Sequence, residues 1–197
     1  MASGTAERVL DEALVAFGTR GFAATSLDDL AGEVGVTKQA ILYHFDSKEQ
    51  LLEAVIDRSV AELAELYEGV ARGPSRGLAR VEDVVRTTFA VAARRPELLG
   101  LLRQVSRLGD PHTPRLARGM HDLLERACAY LGQEMEAGRL RRHDPRLLLL
   151  TSYSAVMGVA TEPEVMRAMG VEPSLRSMAR ARREMIVFLR AALTPVG

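Results

Sequence analysis

The chain has 197 residues, of which 47% are apolar, and this length allows one large domain or two small ones around a hydrophobic core. Its 26 basic and 26 acidic residues leave no net charge, which excludes a globally basic nucleic-acid-binding protein and requires any such site to be local. The single cysteine excludes a secreted disulfide scaffold and predicts a reducing, cytoplasmic environment.

The apolar stretches of the chain do not predict a membrane protein. The N-terminus lacks the basic and apolar regions of a signal peptide, and the longest apolar run, residues 147–160, is too short to span a bilayer. Cys128 falls in a helical apolar pattern, so we interpret it as a buried small hydrophobe rather than a reactive thiol. We predict a soluble cytoplasmic protein without a membrane partner.

Apolar residues recur at spacings of three and four along most of the chain, which predicts an all-α fold, and no strand alternation is convincing. Glycine and proline mark the breaks between about nine helices. We predict a first helix that includes residues 9–17 and ends between Gly18 and Gly21. The others are expected at residues 27–34, 37–44, 47–71, 75–94, 96–108, 113–138, 145–161 and 174–194.

The charge balance shifts near residue 50, where we place a domain boundary. Residues 1–50 carry four basic and eight acidic residues, whereas residues 51–197 carry 22 and 18. The two predicted domains are therefore residues 1–50 and residues 51–197.

Residues 26–50 carry the start and stop signals of two short helices. Ser26 and Asp29 make a capping-box pattern at the start of the second predicted helix. Gly35 suits the left-handed residue that ends this helix, and Thr37 can cap the next one.

The third predicted helix separates an apolar face from a polar one. Ile41 and Phe45 lie four residues apart and face inward. The opposite face, with Lys38 at its edge, carries Gln39, Ala40, Tyr43 and His44. A capping pattern at Ser47 starts the next helix and puts Lys48 in its first turn. This arrangement predicts a DNA-binding helix-turn-helix over about residues 27–46.

The sequence LDEALVAFGTRGFAATSLDDLAGEVGVTKQAILYHFDSKEQLLEAVI resembles the N-terminal domain of TetR-type transcriptional regulators, and the likeness covers residues 7–56. The residues that carry it are Ala13, Phe17, Gly21-Phe22, Thr25-Ser26, Leu30-Ala31, Gly35-Val36, Tyr43, Phe45, Ser47-Lys48 and Leu51-Leu52. The resemblance implies a homodimeric, all-helical regulator. Its first three helices would bind double-stranded operator DNA, and the remainder would hold a small-molecule pocket and the dimer interface.

The resemblance also implies a division of the DNA contacts. Residues at the head of the recognition helix would approach base edges: Thr37, Lys38, Gln39 and Ala40. Residues around it would hold phosphates: Tyr43, His44, Lys48 and either Thr25 or Ser26. The chemistry fits, because glutamine pairs with adenine, lysine reaches guanine acceptors and a small apolar group contacts the thymine methyl.

Some features favour other interpretations of these residues. Many family members carry a tyrosine where this chain has Leu42, and Tyr43 beside it can supply the hydroxyl. Tyr43 could instead be a core aromatic, and Lys38 and Lys48 could be ordinary solvated charges. The acidic balance of residues 1–50 also argues against DNA, although most of those carboxylates belong to the first two helices, whose outer faces need not touch the duplex.

The last two predicted helices have the composition of an interface. Residues 145–161 are apolar around most of the helix, which predicts burial on more than one side. The final helix repeats apolar residues at near-heptad spacing and carries a second apolar face. Two such helices from each of two chains would make a four-helix bundle, and hence a homodimer. The alternative is a single buried bundle in a monomer.

No catalytic or metal-binding constellation is visible, because the histidines are scattered and lack partners at ligand spacing. We therefore predict no cofactor, no metal and no enzyme activity. The leucines and methionines of the middle helices suit a largely apolar small-molecule effector. The candidate residues of its pocket are Arg103, Gln104, His121, Tyr153 and Met157.

Together with the resemblance, these features predict a bacterial transcription regulator that a small molecule releases from a palindromic operator. Because members of the resembled family usually repress transcription, we expect a repressor. One alternative is a DNA-binding regulator without a small-molecule ligand, controlled by a protein partner. A remote alternative is an all-helical enzyme, which would need convergent acid–base groups.

Overall fold

The computed structural model describes residues 2–195, with side chains from residue 4, and forms ten α-helices and no strand in that range. The helices are α1 (Ala2–Thr19), α2 (Leu27–Val34), α3 (Lys38–His44), α4 (Lys48–Arg72), α5 (Gly77–Arg94), α6 (Pro96–Leu108), α7 (His112–Glu136), α8 (Pro145–Thr161), α9 (Pro163–Ala168) and α10 (Leu175–Leu193). The predicted all-α fold is confirmed, and the predicted helix ends lie within about two residues of these bounds. The sequence pattern missed α9, because six residues are too few to show a helical period.

The helices group into two compact units. One unit comprises the chain up to Glu62 together with Arg95–Met120, and the other comprises Leu63–Arg94 and the chain from His121 onward. Helices α4 and α7 contribute residues to both units. The domain boundary near residue 50, which the charge balance predicts inside the fourth helix, stays a prediction.

The core of the first unit is built on helical spacing along α1, α2, α3 and the first half of α4. Its fully buried side chains include Val9, Ala13, Leu14, Phe17, Leu30, Ile41, Leu51, Leu52 and Val55. Burying a side chain of this size contributes about 1.5–3 kcal/mol relative to leaving it exposed. This shared core fixes the short helices α2 and α3, which are too brief to be stable alone.

Helices α1 and α6 of the first unit cross backbone against backbone. A Cβ atom added at Gly100 would lie well inside 3.0 Å of the carbonyl oxygen of Gly18, and one added at Gly18 would meet the carbonyl oxygen of Glu97 as closely. Both glycines have ordinary helical backbones, so they are required here for space and not for conformation. The crossing sets the distance between α1 and α6.

The second unit has its own core, where α5, α7, α8 and α10 meet. Its buried side chains are Val85, Phe89, Leu131, Met135, Leu140, Val156, Leu189 and Leu193. The buried carboxylate of Glu82 on α5 accepts hydrogen bonds from Arg190 on α10, at 3.0 Å for Nη2, and from Arg86. These hydrogen bonds, with that of Arg190 the stronger influence, hold the pKa of Glu82 below its usual range.

Among the described residues, none of the helices has the length and apolar character needed to cross a bilayer.

The glycine crossing makes a testable prediction about stability. Replacing Gly100 by alanine should destabilise the protein by about 1–3 kcal/mol, because the new methyl group forces α1 and α6 apart. Gly32 is the matched control, since a Cβ atom there meets nothing within 4 Å and alanine should add about 0.5–1 kcal/mol through helix propensity. Urea unfolding followed by circular dichroism measures both changes, and a Gly100→Ala protein as stable as wild type would contradict the crossing.

Candidate nucleic-acid interface

Helix α2 is held at both ends by the signals found in the sequence. The Ser26 hydroxyl accepts from the backbone N–H of Asp29 at 3.0 Å, and the backbone N–H of Ser26 donates to the Asp29 carboxylate at 3.2 Å. The predicted capping box is thus confirmed, and hydrogen bonds from Ser26 lower the pKa of Asp29. Gly35 ends the helix with φ 75°, the left-handed conformation predicted for it.

Helix α3 starts at the predicted cap and is anchored from one side. The Thr37 hydroxyl accepts from the backbone N–H of Ala40 at 3.1 Å. Ile41 is fully buried, as predicted, whereas Phe45 is only half-buried because it follows the last helical residue with an extended backbone. A seven-residue helix therefore depends on its cap and on one apolar side chain for its position.

The opposite face of α3 is open to solvent. Gln39 is exposed, and Tyr43 has 81% of its surface accessible, which excludes the interpretation of Tyr43 as a core aromatic. His44 is half-buried, and its ring packs edge-on against Tyr43 with centroids 5.1 Å apart. Ala40 is half-buried at the margin of this face. The polar and aromatic groups predicted to contact DNA on α3 thus share one accessible surface.

Lys48 contacts a cluster of aromatic rings, here called the platform, formed by Phe22, Phe17 and His112. The sequence did not reveal this cluster. The Lys48 ammonium lies 4.2 Å from the ring centroid of Phe22, a cation–π contact. Phe22 in turn packs edge-on against Phe17 and lies beside the ring of His112 on α7. Because these partners come from distant parts of the chain, no local spacing pattern could have indicated the platform. It holds the Lys48 charge at the start of α4.

The structure separates the two hydroxyls proposed for a phosphate contact. Thr25 is 1% exposed, and its hydroxyl donates to the carbonyl oxygen of Gly21 at 2.9 Å. Ser26 is exposed at the start of α2. Of the pair, Ser26 is the residue that reaches the surface, and its hydroxyl donates to the Asp29 carboxylate at 2.6 Å.

Lys38 is engaged in an ion pair that the sequence analysis missed. Its Nζ atom donates to the Asp28 carboxylate of α2 at 2.8 Å. The two residues are ten positions apart on different helices, so only the crossing angle of α2 and α3 brings them together. Arg20 and Glu33 form a second exposed pair nearby, with 2.8 Å between Nη2 and Oε2. The basic groups of this surface are thus largely balanced by carboxylates.

The five residues predicted for an effector pocket are divided between the two units, and their assignment to a pocket stays a prediction. Arg103 and Gln104 belong to the first unit, where the Gln104 side chain lies close to the backbone of Gly21. His121, Tyr153 and Met157 belong to the second unit. His121 is exposed and Tyr153 nearly half-exposed, although partial burial raises the Tyr153 pKa, and Met157 is buried.

The second unit contains a largely apolar cavity of about 180 Å³, partly open to solvent, between α5, α8, α9 and the start of α10. Its lining residues are Ala92, Ala93, Val159, Ala160, Pro163, Met166, Pro173, Ser174, Leu175 and Met178. No charged residue and none of the five predicted pocket residues is among them. Four separate segments build this cavity, so its lining could not be assigned from the periodicity of any one helix. No group of three or more potential metal ligands occurs among the described residues.

Residues 9–55 match the family model of bacterial regulatory proteins of the tetR family. The HTH-type transcriptional regulator RutR of Escherichia coli O157:H7 is 26% identical over 163 residues, which cover 80% of this chain and 74% of that protein. The chain is thus similar to TetR-family regulators, and residues 9–55 carry the match to the model of that family. TetR-family proteins are DNA-binding transcriptional regulators. The relatives with similar sequences are regulators rather than enzymes.

Solved structures of other proteins share this fold over more than nine-tenths of the chain. A putative transcriptional regulator from Saccharomonospora viridis, in complex with choline, has a TM-score of 0.81 at 18% identity and covers 98% of this chain and 100% of its own. AibR in complex with isovaleryl coenzyme A and operator DNA has a TM-score of 0.79 at 18% identity and covers 94% and 97%. At these identities the likeness shows the fold alone.

Proposed function

We propose that this protein is a TetR-family repressor that binds a palindromic operator as a homodimer and is released by a small molecule. The proposed DNA binding is supported chiefly by the exposed face of α3, on which the side chains of Gln39 and Tyr43 are accessible to solvent. A helix of this kind, with polar groups on its outer face and a second helix packed behind it, fits the major groove.

The positions of the side chains support two kinds of DNA contact. Thr37, Lys38, Gln39 and Ala40 at the start of α3 are proposed to approach base edges, as recognition helices contact bases through their N-terminal residues. Tyr43, His44 and Lys48, together with Ser26, are proposed to hold phosphates. Phosphate contacts fix the register of a protein on the duplex, and base contacts read its sequence.

The proposed dimer interface is formed by α8 and α10. Leu148, Leu149 and Val156 of α8 pack toward the core of the second unit. The same helix also exposes apolar side chains to solvent, as does α10: Leu147, Leu150, Tyr153, Val187 and Phe188. Exposed apolar surface of this extent is a hallmark of an interaction site.

A second copy of the chain is the occupant that best fits this surface. Two helices from each of two copies would form a four-helix bundle and cover the exposed side chains of both. A twofold dimer would also present two α3 helices to the two halves of a palindrome, whose centres lie about 34–36 Å apart.

The apolar cavity of the second unit is the proposed effector site. A cavity of about 180 Å³ that is partly open to solvent and has no charged lining residue suits a small uncharged apolar molecule. Effector binding is proposed to favour a dimer in which the spacing of the two α3 helices no longer fits successive major grooves. The effector can act only through its different affinity for the two states.

Selection of bound duplexes from a random DNA pool tests the proposal directly. A twofold-symmetric winner, bound with a steep dependence on salt, is the expected outcome. Failure to enrich any duplex would contradict the proposed operator binding.

The two classes of DNA contact make different predictions for substitutions. Gln39→Ala should relax base preference at one position in each half-site, with a loss of about 1–3 kcal/mol of discrimination. Lys48→Ala should weaken binding to all sequences alike and reduce the salt slope. Titration of the selected operator and its single-base variants at several salt concentrations measures both effects. Equal effects of the two substitutions on every sequence would contradict this division.

The proposed dimer can be tested without DNA. Phe188→Glu should weaken dimerisation at least about 100-fold, because the twofold axis would bury the new carboxylate twice without a partner. Val15→Glu, an equally drastic change at an exposed apolar position of α1, should leave the dimer intact. Sedimentation of both variants across a concentration series provides the measurement. A wild-type monomer at all concentrations would contradict the proposed assembly.

The effector proposal predicts that small apolar probes bind the cavity. Indole or toluene should raise the thermal midpoint of the wild type and lower its operator affinity. Ala93→Phe, at an exposed lining position, should abolish both responses, whereas Val165→Phe, on α9 outside the lining, should retain them. Probes that stabilise the protein without changing operator affinity would contradict the coupling and favour a regulator controlled by another partner.

A further inference from the structure

The chain has only two lysines, Lys38 and Lys48, and both belong to the helix-turn-helix region. Lys38 is the first residue of α3, and its ammonium is held by the Asp28 carboxylate, the second residue of α2, at 2.8 Å. The side chains are 42% and 70% exposed, so the pair lies at the surface in contact with water. In the protein without DNA, the Asp28 carboxylate therefore partly offsets the charge of Lys38.

Carboxylates outnumber cations in the segment of the sequence that contains this pair. Residues 1–50 contain four basic and eight acidic residues, and one of the other cations, Arg20, is paired with Glu33. A protein that neutralises DNA phosphates gains affinity for any sequence by releasing counterions. Pairing Lys38 with Asp28 removes one such cation from each subunit, and the carboxylate itself repels phosphates.

Lys38 can exchange its contact with Asp28 for a contact with a DNA base or with a phosphate. The strengths of these contacts indicate which DNA group can displace Asp28 from Lys38. An exposed ion pair is worth at most about fivefold in an equilibrium constant. A well-placed base contact changes affinity by roughly five- to a hundredfold. A guanine edge in the correct position therefore competes well with the carboxylate. A single phosphate, approached against the repulsion of Asp28, competes poorly.

We propose that Asp28 is a specificity-determining residue, which keeps Lys38 from phosphates and releases it to a base acceptor at the cognate site. The role rests on the proposed function, that is, on DNA binding through α3. Asp28 acts through Lys38 and is therefore a positioning residue. Its effect is to suppress binding to random DNA more than binding to the operator.

The test compares affinities for the selected operator and for a random duplex across a salt series. Asp28→Asn should raise affinity for the random duplex about three- to tenfold and for the operator less than threefold, so that the ratio between them falls. The random-duplex salt slope should steepen by about 0.9 for each additional phosphate that a freed Lys38 neutralises. Both duplexes are measured with the full-length protein.

Two comparisons separate this role from a general effect of charge. Asp46→Asn removes the same charge from an exposed site of the same motif, where no ion pair is formed by the described Asp46 side chain, and it should leave the affinity ratio unchanged. In a Lys38→Ala background, Asp28→Asn should also leave the ratio unchanged within about twofold. An equal fall of the ratio with Asp46→Asn, or a fall that persists without Lys38, would overturn the proposal.

A measurement on the protein without DNA tests the ion pair itself. Reductive ¹³C-methylation labels only two side chains besides the N-terminus, so each lysine gives its own NMR signal. Asp28→Asn should shift the Lys38 signal and leave that of Lys48 in place. An unmoved Lys38 signal would overturn the role of Asp28.

The outcomes distinguish this inference from the proposed function. Selection of an operator by the wild type, followed by an unchanged affinity ratio in Asp28→Asn, would overturn the role of Asp28 and leave operator binding intact. Failure of the wild type to select any duplex would overturn the proposed function, and the role of Asp28 with it.

Discussion

The position of α3 depends on the burial of Ile41. Helix α3 has seven residues, fewer than an isolated helix needs to persist in water, so its conformation has to come from outside itself. The Thr37 cap satisfies its first turn, and Ile41 docks it on the core shared with α1, α2 and α4. Everything proposed for the outer face requires this inner anchor, because a base contact works only when the helix carrying it is held in a fixed place.

Much of the fold could be predicted because this sequence marks its helix ends clearly. Ser26, Gly35 and Thr37 each act within three or four residues, and the structure places all three as predicted. The same holds for helix ends set by proline, as at α6 and α8. Helix α9 was not predicted, because a segment of fewer than two turns is too short to show a helical period in its apolar residues.

The parts of the site that could not be predicted all depend on how helices cross. The Lys38–Asp28 pair, the Phe22 platform under Lys48 and the lining of the apolar cavity each join residues from different segments. Arg103 and Gln104, chosen as polar candidates among the leucines of the middle helices, lie in the first unit, and their place in a pocket stays a prediction. Polarity within one helix identifies a candidate, whereas the packing of several helices decides where it lies.

Different residues of α3 anchor the helix to the core and form the outer face that is proposed to contact DNA. Ile41 faces the core, whereas Gln39 and Tyr43 project into solvent and contribute little to the burial that stabilises the unit. Substitutions at the outward positions are therefore nearly neutral for folding, as exposed positions usually are. Substitutions on such a surface can change the preferred operator sequence during evolution while the protein remains stably folded. The same property makes this surface a practical starting point for laboratory retargeting, in which libraries vary the outer face and leave the inner one fixed.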